Sequence, residues 1–246
     1  MDTQLQEILQ KCTIDGMVVK LPEGQLERTM YVKVSKALEG ISGKWKGGKV
    51  MGFVFPVDPT ELLNEIAGGK KINLKSDFQF FATPSSLCDK IVSLANINQK
   101  HAILEPSAGD GAIVKAIARE LPGKIVDCFE LMGVNRMILE KNQNVNLIGG
   151  DFLAEPVERK YDRIIANPPF KNNQDIDHLY KMYDCLKEGG RVVCITSTHW
   201  KNSSNKKETD FRNWLDKKSA ITEDVDAGMF KESGTMVPTV IITIVK

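Results

Sequence analysis

Asn167-Pro168-Pro169-Phe170, entered from the apolar run Ile164-Ile165-Ala166, is where the residue types of the 246-residue chain point most directly to chemistry. Two consecutive prolines fix φ and remove two backbone donors, so the turn offers acceptors: the Asn167 side-chain oxygen and the Pro168 carbonyl. An aromatic ring follows at once in Phe170. A rigid pair of acceptors beside a ring suits an exocyclic amine on a flat heterocycle, which donates two hydrogen bonds while its ring stacks. Such an amine is a poor nucleophile because its lone pair is delocalised. Holding both N–H groups out of the ring plane favours sp³ character and frees the lone pair, which stabilises a transition state by positioned dipoles. The plainer alternative is a proline-rich turn leaving a strand, with Phe170 as core filler.

A second segment carries binding chemistry. Residues 102–104 read as a strand, Glu105-Pro106-Ser107-Ala108-Gly109-Asp110-Gly111 as a turn, and residues 112–120 as a helix, which makes a ligand-binding crossover. Gly109 and Gly111 let the backbone approach a ligand closely. The dinucleotide fingerprint is not met, because Val114 stands where its third glycine belongs. The acidic residues disfavour a pyrophosphate and suit a cation. A second strand, 125–129, ends at Glu130, about 20 residues beyond the glycine turn, where a carboxylate is placed to accept from both hydroxyls of a ribose. A third strand, 145–148, leads to Gly149-Gly150-Asp151-Phe152; on its own, Asp151 reads equally well as a turn residue.

Asn-Pro-Pro-Phe at a strand end resembles the catalytic motif of S-adenosylmethionine-dependent amino methyltransferases, above all the N6-adenine DNA methyltransferases. Glu105–Gly111 closely resembles their pattern Glu-Pro-Ser-Ala-Gly-x-Gly. Phe81-Ala82-Thr83-Pro84, just before that loop, resembles the Phe-x-Thr-Pro segment that lies against the methionine end of the cofactor. The resemblance covers residues 80–246, and the motif order matches the γ-type enzymes. It implies a class I fold: a doubly wound, Rossmann-like α/β sheet closed by an antiparallel strand pair. It implies S-adenosylmethionine as cofactor, held by Phe81, Thr83, Pro84, Glu105, Pro106, Ser107, Ala108, Gly109 and Gly111. Glu130 would take its ribose, Asp151 would accept from its adenine amine, and Phe152 would pack on that ring. Asn167, Pro168, Pro169 and Phe170 would be catalytic, with Phe230 as a second aromatic beside the target base. The implied reaction is a direct, metal-free methyl transfer to N6 of adenine in DNA. An RNA base or a protein glutamine amide is an alternative target for the same turn, and a catalytically silent binding module is a third reading. γ-type enzymes usually carry a large target-recognition domain after the catalytic fold, and none is expected here. Specificity is therefore expected in residues 1–76, in the loop 196–208 or in a partner, or is expected to be slight.

The remaining elements must position these groups. Residues 1–76 are expected to form a small α+β domain and residues 77–246 the catalytic domain. In the first, helices over 2–11 and 26–41, strands over 17–20 and 50–55, and a helix opened by Asp58-Pro59 surround a basic glycine loop at 43–49. Lys44, Lys46 and Lys49, with Trp45 among them, read either as a solvated face or as a phosphate-tracking surface with one stacking ring. In the second, Thr83 is expected to cap a helix starting at Pro84. A helix over 175–187 carries His178 on its inner side in a structural role, and a strand follows at 191–195. The stretch 196–208 is too polar for core and suits a lid, a target-strand contact or an inert loop.

Net charge is +1, so a nucleic-acid surface has to be a local patch. The five cysteines are scattered without a CxxC pair, which points to reduced, mostly buried thiols and no zinc site. No apolar run reaches membrane-spanning length and no signal peptide is present, so a soluble, cytoplasmic protein partnered by nucleic acid, foremost DNA, is expected.

Overall fold

The structure, a computed structural model, describes residues 2–74, 82–231 and 236–246. The chain divides into two compact units, Met1–Gln79 and Phe80–Lys246.

The first unit contains helices α1 (Thr3–Gln10), α2 (Arg28–Gly40) and α3 (Thr60–Ala67), and strands β1 (Thr13–Asp15), β2 (Val18–Lys20), β3 (Lys44–Lys46) and β4 (Gly52–Val54). The strands form an antiparallel sheet in the order β1-β2-β4-β3. Leu5 and Leu9 of α1, Val34 and Leu38 of α2, and Leu63 and Ile66 of α3 close on Val19 and Phe53 in one core. Asp58 caps α3 by accepting from the Thr60 N–H (2.9 Å) and hydroxyl (2.6 Å). The stretch expected as a basic loop is partly a strand: Lys44–Lys46 pairs with β4 at the sheet edge. Two glycines explain why the sequence hides it. A Cβ at Gly43 would lie 2.6 Å from the Phe55 ring, and one at Gly52 would lie 2.9 Å from the Val19 carbonyl. Glycine there is a requirement of close strand packing, not the mark of a loop. Trp45 is the register partner of Phe53, with ring centroids 5.2 Å apart. Side chains alternate across a strand, so Lys44 and Lys46 project from the face opposite Trp45.

The second unit runs α4 (Ser85–Ala95), β5 (Ile103–Glu105), α5 (Ala112–Glu120), β6 (Val126–Phe129), α6 (Gly133–Leu139), β7 (Val145–Gly149), β8 (Tyr161–Ala166), α7 (Gln174–Asp184), β9 (Leu186–Ser197), α8 (Lys206–Lys217), β10 (Ile221–Val225) and β11 (Thr239–Val245). Its sheet has seven strands in the order β10-β11-β9-β8-β5-β6-β7. The five strands from β5 to β9 pair in parallel, and β10 and β11 close the sheet antiparallel. This is the doubly wound α/β arrangement expected from the sequence. β5 has β6 on one side and β8 on the other, so the winding reverses there and a ligand crevice opens at the strands' carboxyl ends.

Each face of the sheet is covered. Leu87 and Ile91 of α4 and Val114 and Ile117 of α5 pack on Ile165, Val193 and Ile241. Ile176 and Leu179 of α7 and Phe211 of α8 pack on Ile164, Val192 and Ile242. Consecutive residues of β8 and β9 thus enter opposite cores, which is why these strands read as unbroken apolar runs. Two boundaries differ from expectation. α7 ends at Asp184, and residues 186–190 begin β9 irregularly, with a register shift against β8. The polar stretch 196–208 is not wholly outside the core: Thr196, Ser197, Trp200 and Glu208 are buried. Some of its polar groups pair with each other, as where Trp200 Nε1 donates to Thr196 Oγ1 at 3.1 Å while its ring meets Phe211 at 5.3 Å. Among the described residues no helix is long and apolar enough to cross a membrane.

Gly149, at the end of β7, is the tightest of these glycines: a Cβ would lie 2.3 Å from Phe129 Cε1 and 2.5 Å from Glu155 Oε2. Gly149→Ala is expected to destabilise the protein by about 1–3 kcal/mol, as overpacking does. Urea denaturation checks this as a lower midpoint with an unchanged slope.

Candidate active site

β8 carries Asn167 to the carboxyl edge of the sheet. Ile164, Ile165 and Ala166 are fully buried, whereas Asn167, Pro169 and Phe170 are half-buried. The ring of Phe170 packs on the core beneath α4 and α5, and the buried Phe230 belongs to that same apolar cluster. Asn167 Nδ2 donates to Thr83 Oγ1 at 3.0 Å, across 84 residues of chain. Thr83 therefore does not cap α4. The helix starts one residue later than expected, its N-cap is Pro84 with no side-chain cap bond, and the Pro84 carbonyl receives the Leu87 and Cys88 N–H groups. Downstream of Phe170, Asn172 and Asn173 both adopt left-handed backbone, at φ 56° and 60°, which asparagine tolerates better than most residues. Asn173 Nδ2 donates to Glu208 Oε1 at 2.9 Å.

The glycine turn lies at the end of β5. Gly109 and Gly111 have φ of +57° and +80°, the left-handed region that glycine enters at little cost. Glu130, at the end of β6, fastens this turn: its Oε2 accepts from the Gly109 N–H and its Oε1 from the Met132 N–H, each at 2.7 Å. Burial pushes the Glu130 carboxyl above its ordinary range, against the pull of these amides. Glu105 is wholly buried, and burial first, then the charges of Glu130 and Asp110, hold its carboxyl well above the usual value. Its Oε2 and the Ser107 hydroxyl have no hydrogen-bond partner among the described residues. Pro106 and Ala108 are buried, and the Ala108 N–H donates to the Phe129 carbonyl at 3.0 Å. Orphaned acceptors among crowded carboxylates call for a ligand that is cationic and donates hydrogen bonds. The ammonium and sulfonium of S-adenosylmethionine fit this donor set.

Beyond β7, Asp151 Oδ1 accepts from the Leu153 (2.9 Å) and Ala154 (3.2 Å) N–H groups and so shapes the turn. The Phe152 ring is buried between Phe129 (5.4 Å) and His178 (5.6 Å), inside the core beneath α7. His178 Nδ1 meets the Gln174 carbonyl at 2.8 Å, and burial holds its pKa below the ordinary value. Phe81 lies outside the described residues. Trp45, Lys44, Lys46 and Lys49 belong to the first unit.

One polar network has no counterpart in the sequence reading. Asp175, fully buried at the start of α7, accepts from the Ser197 N–H (2.9 Å) and hydroxyl (2.8 Å), tying α7 to the end of β9. The Ser197 hydroxyl also meets His199 Nδ1 at 2.5 Å, and His199 Nε2 lies 3.6 Å from Glu208 Oε1. An acidic residue in a first helical turn is ordinary helix-dipole chemistry, so Asp175 carried no signal of its own.

A family profile described as the methyltransferase small domain matches residues 90–219. The release factor glutamine methyltransferase of Clostridium acetobutylicum is 25% identical over 118 residues, which is 44% of this chain and 40% of that protein. The tRNA1(Val) (adenine(37)-N6)-methyltransferase of Aliivibrio fischeri is 33% identical over 86 residues, 32% of this chain and 37% of that protein. The chain thus spans about two fifths of the length of these curated relatives. Among solved structures, the M protein of the type I restriction enzyme EcoKI shares the fold, with a TM-score of 0.55 at 18% identity over 78% of this chain and 52% of that one.

The raised carboxyl of Glu105 has a definite pH consequence. Above the ordinary glutamate range the folded protein holds a proton that the unfolded chain releases, so stability falls as pH rises towards the folded value. Glu105→Gln is expected to raise the Tm of the ligand-free protein at neutral pH. The gain should vanish near pH 4, where both forms are uncharged. The same variant should bind S-adenosylmethionine more weakly, because a glutamine cannot give up a proton to face the cation. Differential scanning fluorimetry across pH, with and without the cofactor, checks both signs.

Proposed function

The chain belongs to the methyltransferase small domain family, and from that premise we propose that it methylates the exocyclic N6 amine of adenine in DNA. The cofactor is S-adenosylmethionine, which when bound supplies a methyl group activated by the sulfonium. Around it, the glycine turn and Glu130 form the cofactor cradle, and Asp110, with Glu105 once it gives up its proton, supplies negative charge towards a cation. The observation that carries the reading is the state of Asn167. Its amide nitrogen is engaged by Thr83, so the atom left to meet a target is the acceptor Oδ1, beside the half-buried ring of Phe170.

An incoming adenine, turned out of its stack, places its amine against Asn167 Oδ1 and the Pro168 carbonyl. These acceptors hold the amine in line with the methyl group, while positioning and fixed dipoles lower the barrier. Phe170 and Phe230 sit in one apolar cluster, and a flat apolar wall suits a purine better than a glutamine side chain. The similarity to an adenine-N6 enzyme acting on tRNA supports the same chemistry. The similarity to a release factor glutamine methyltransferase favours a second reading, in which the held group is a glutamine amide. On the first reading residues 1–76 form a nucleic-acid-contacting domain and residues 77–246 the catalytic domain. Lys44, Lys46 and Lys49 would then track phosphates, with Trp45 or a specificity partner contributing to target choice.

Product analysis, active-site variants and a salt titration test this. Incubation with labelled cofactor and separate DNA, RNA and protein pools should place label in DNA, recovered as N6-methyladenine by mass spectrometry. Label confined to protein, or N4-methylcytosine alone, would overturn the adenine assignment. In the same assay Asn167→Ala should lose on the order of 100-fold or more in rate with cofactor affinity retained. Phe170→Ala should also weaken target binding by about 1–3 kcal/mol, and Phe170→Tyr should keep much of the activity. For the first unit, replacing Lys44, Lys46 and Lys49 by Ala should lower the log–log salt slope of duplex binding by up to about three. An unchanged slope would return those lysines to a merely solvated face.

A further inference from the structure

We propose that Arg136 and Glu155 are positioning residues of the cofactor cradle: with opposite charges they fix the orientation of the peptide between Gly149 and Gly150, and through it the backbone of Glu130. The inference rests on the cradle reading of Glu130 given above. Packing creates the need. Gly149 has to be glycine, because a Cβ there would lie 2.3 Å from Phe129 Cε1. A second glycine follows it, and a peptide with glycine on both sides turns over readily. Such a turn at the end of β7 would reverse a carbonyl and an N–H at the carboxyl edge of the sheet, beside the strand that leads to Glu130.

The two side chains grip opposite ends of this one peptide. Arg136 Nη1, from α6, donates to the Gly149 carbonyl at 2.8 Å. Glu155 Oε1 accepts from the Gly150 N–H at 2.8 Å and from the Asp151 N–H at 2.7 Å. Both are seated against Gly150, where a Cβ would lie 3.2 Å from Glu155 Oε1 and 3.5 Å from Arg136 Nη1. The two roles cannot be exchanged, because a guanidinium only donates and a carboxylate only accepts. Turned over, the peptide would set N–H against guanidinium and carbonyl against carboxylate. Both side chains are half-buried, where water competes less well for such bonds. The same contacts reach Glu130. Its N–H donates to the Gly149 carbonyl at 3.2 Å, and its own carbonyl accepts from Arg136 Nη1 at 3.1 Å. The Arg136 charge also opposes the upward push of burial on the Glu130 carboxyl. The backbone of Glu130 is thus held on both sides of its Cα, while its carboxyl holds the glycine turn.

The test uses the full-length protein. Arg136→Met and Glu155→Met remove one grip each. Arg136→Lys and Glu155→Gln keep a donor or an acceptor, and they carry the test should a methionine variant fail to fold. The first readout needs no cofactor. Hydrogen exchange at the Gly150 and Asp151 amides, resolved by NMR, should be slow in the parent and fast in Glu155→Met, with the rest of the sheet unchanged. The second is the Kd for S-adenosylmethionine by calorimetry. Each methionine variant should bind about 10-fold more weakly, the equivalent of one hydrogen bond to a charged group, and the lysine and glutamine variants should lose less. The double methionine variant should lose little more than either single one, because both act on the same peptide. Unchanged exchange at Gly150 and Asp151 would overturn the proposal, as would acceleration spread over the whole sheet. Fully additive losses, or no recovery with lysine and glutamine, would do the same. Glu130→Ala separates the proposal from its premise. Parental affinity in Glu130→Ala would remove the cradle reading, whereas a loss confined to Glu130→Ala, with the Arg136 and Glu155 variants binding like the parent, would overturn the clamp alone.

Discussion

β8 is buried on both faces, and this constrains the site more than any other feature. Ile164 and Ala166 enter the core beneath α7, and Ile165 enters the core beneath α4 and α5. A slip of one residue against β5 or β9 would exchange the two faces and misplace every one of these side chains. The register Leu104↔Ile164 and Ile165↔Val193 is therefore held by packing energy, far from any polar chemistry. Asn167 inherits its position from that register. It is the first residue past the buried run, so it emerges at the sheet's carboxyl edge, next to the strand whose own end turns into the glycine loop.

The electrostatics of that edge run against stability. Glu105 and Glu130 are buried side by side with carboxyls displaced upward by desolvation, and Glu105 leaves one oxygen without a partner among the described residues. A core selected for stability alone would hold apolar residues at these positions. Acids kept in such a place make sense when a cationic ligand restores what burial removes. The arrangement also divides labour. Glu130 spends a lone pair of each oxygen on backbone N–H groups and so keeps the loop in shape, whereas Glu105 holds an unpartnered oxygen and a proton that it can give up to a cation.

Much of this was legible in the sequence. The glycine turn, the strand ends and the doubly wound order follow from local patterns: apolar runs of strand length, glycines where the chain must turn, and acids at strand ends. What could not be read there depends on contacts between distant segments. Thr83 looked like a helix cap because Thr-Pro is a good start signal, yet its hydroxyl serves Asn167. Glycines around Lys44–Lys46 suggested a loop because glycine disfavours strands, but Gly43 and Gly52 are small where neighbouring chain presses close. The stretch 196–208 looked excluded from the core because polarity forbids burial only when partners are missing; Asp175, 22 residues before Ser197, supplies one. The rings of Phe152 and Phe230 were expected at ligands from resemblance, and both are embedded in core, where a sequence cannot tell a wall from a face.

The Asn-Pro-Pro-Phe turn is gripped at both ends. Upstream, the Asn167 amide is bound to Thr83, on the segment that leads into α4. Downstream, two left-handed asparagines take the chain sharply into α7, and the second is tied to the buried Glu208 of α8. Between these anchors the prolines remove most of the remaining freedom. Two consecutive left-handed residues other than glycine are costly, and such strain persists only where surrounding structure over-determines it. The expense is consistent with a turn whose task is to hold acceptors still, because a dipole that must reorganise when charge develops gives up most of its effect. A turn this rigid can present an acceptor pair to an amine, but it can adapt little to what carries the amine. Discrimination among a base in DNA, a base in RNA and a glutamine must then come from the walls around it. The half-buried Phe170 belongs to both parts, since its backbone is set by the turn and its ring by the apolar cluster it shares with Phe230.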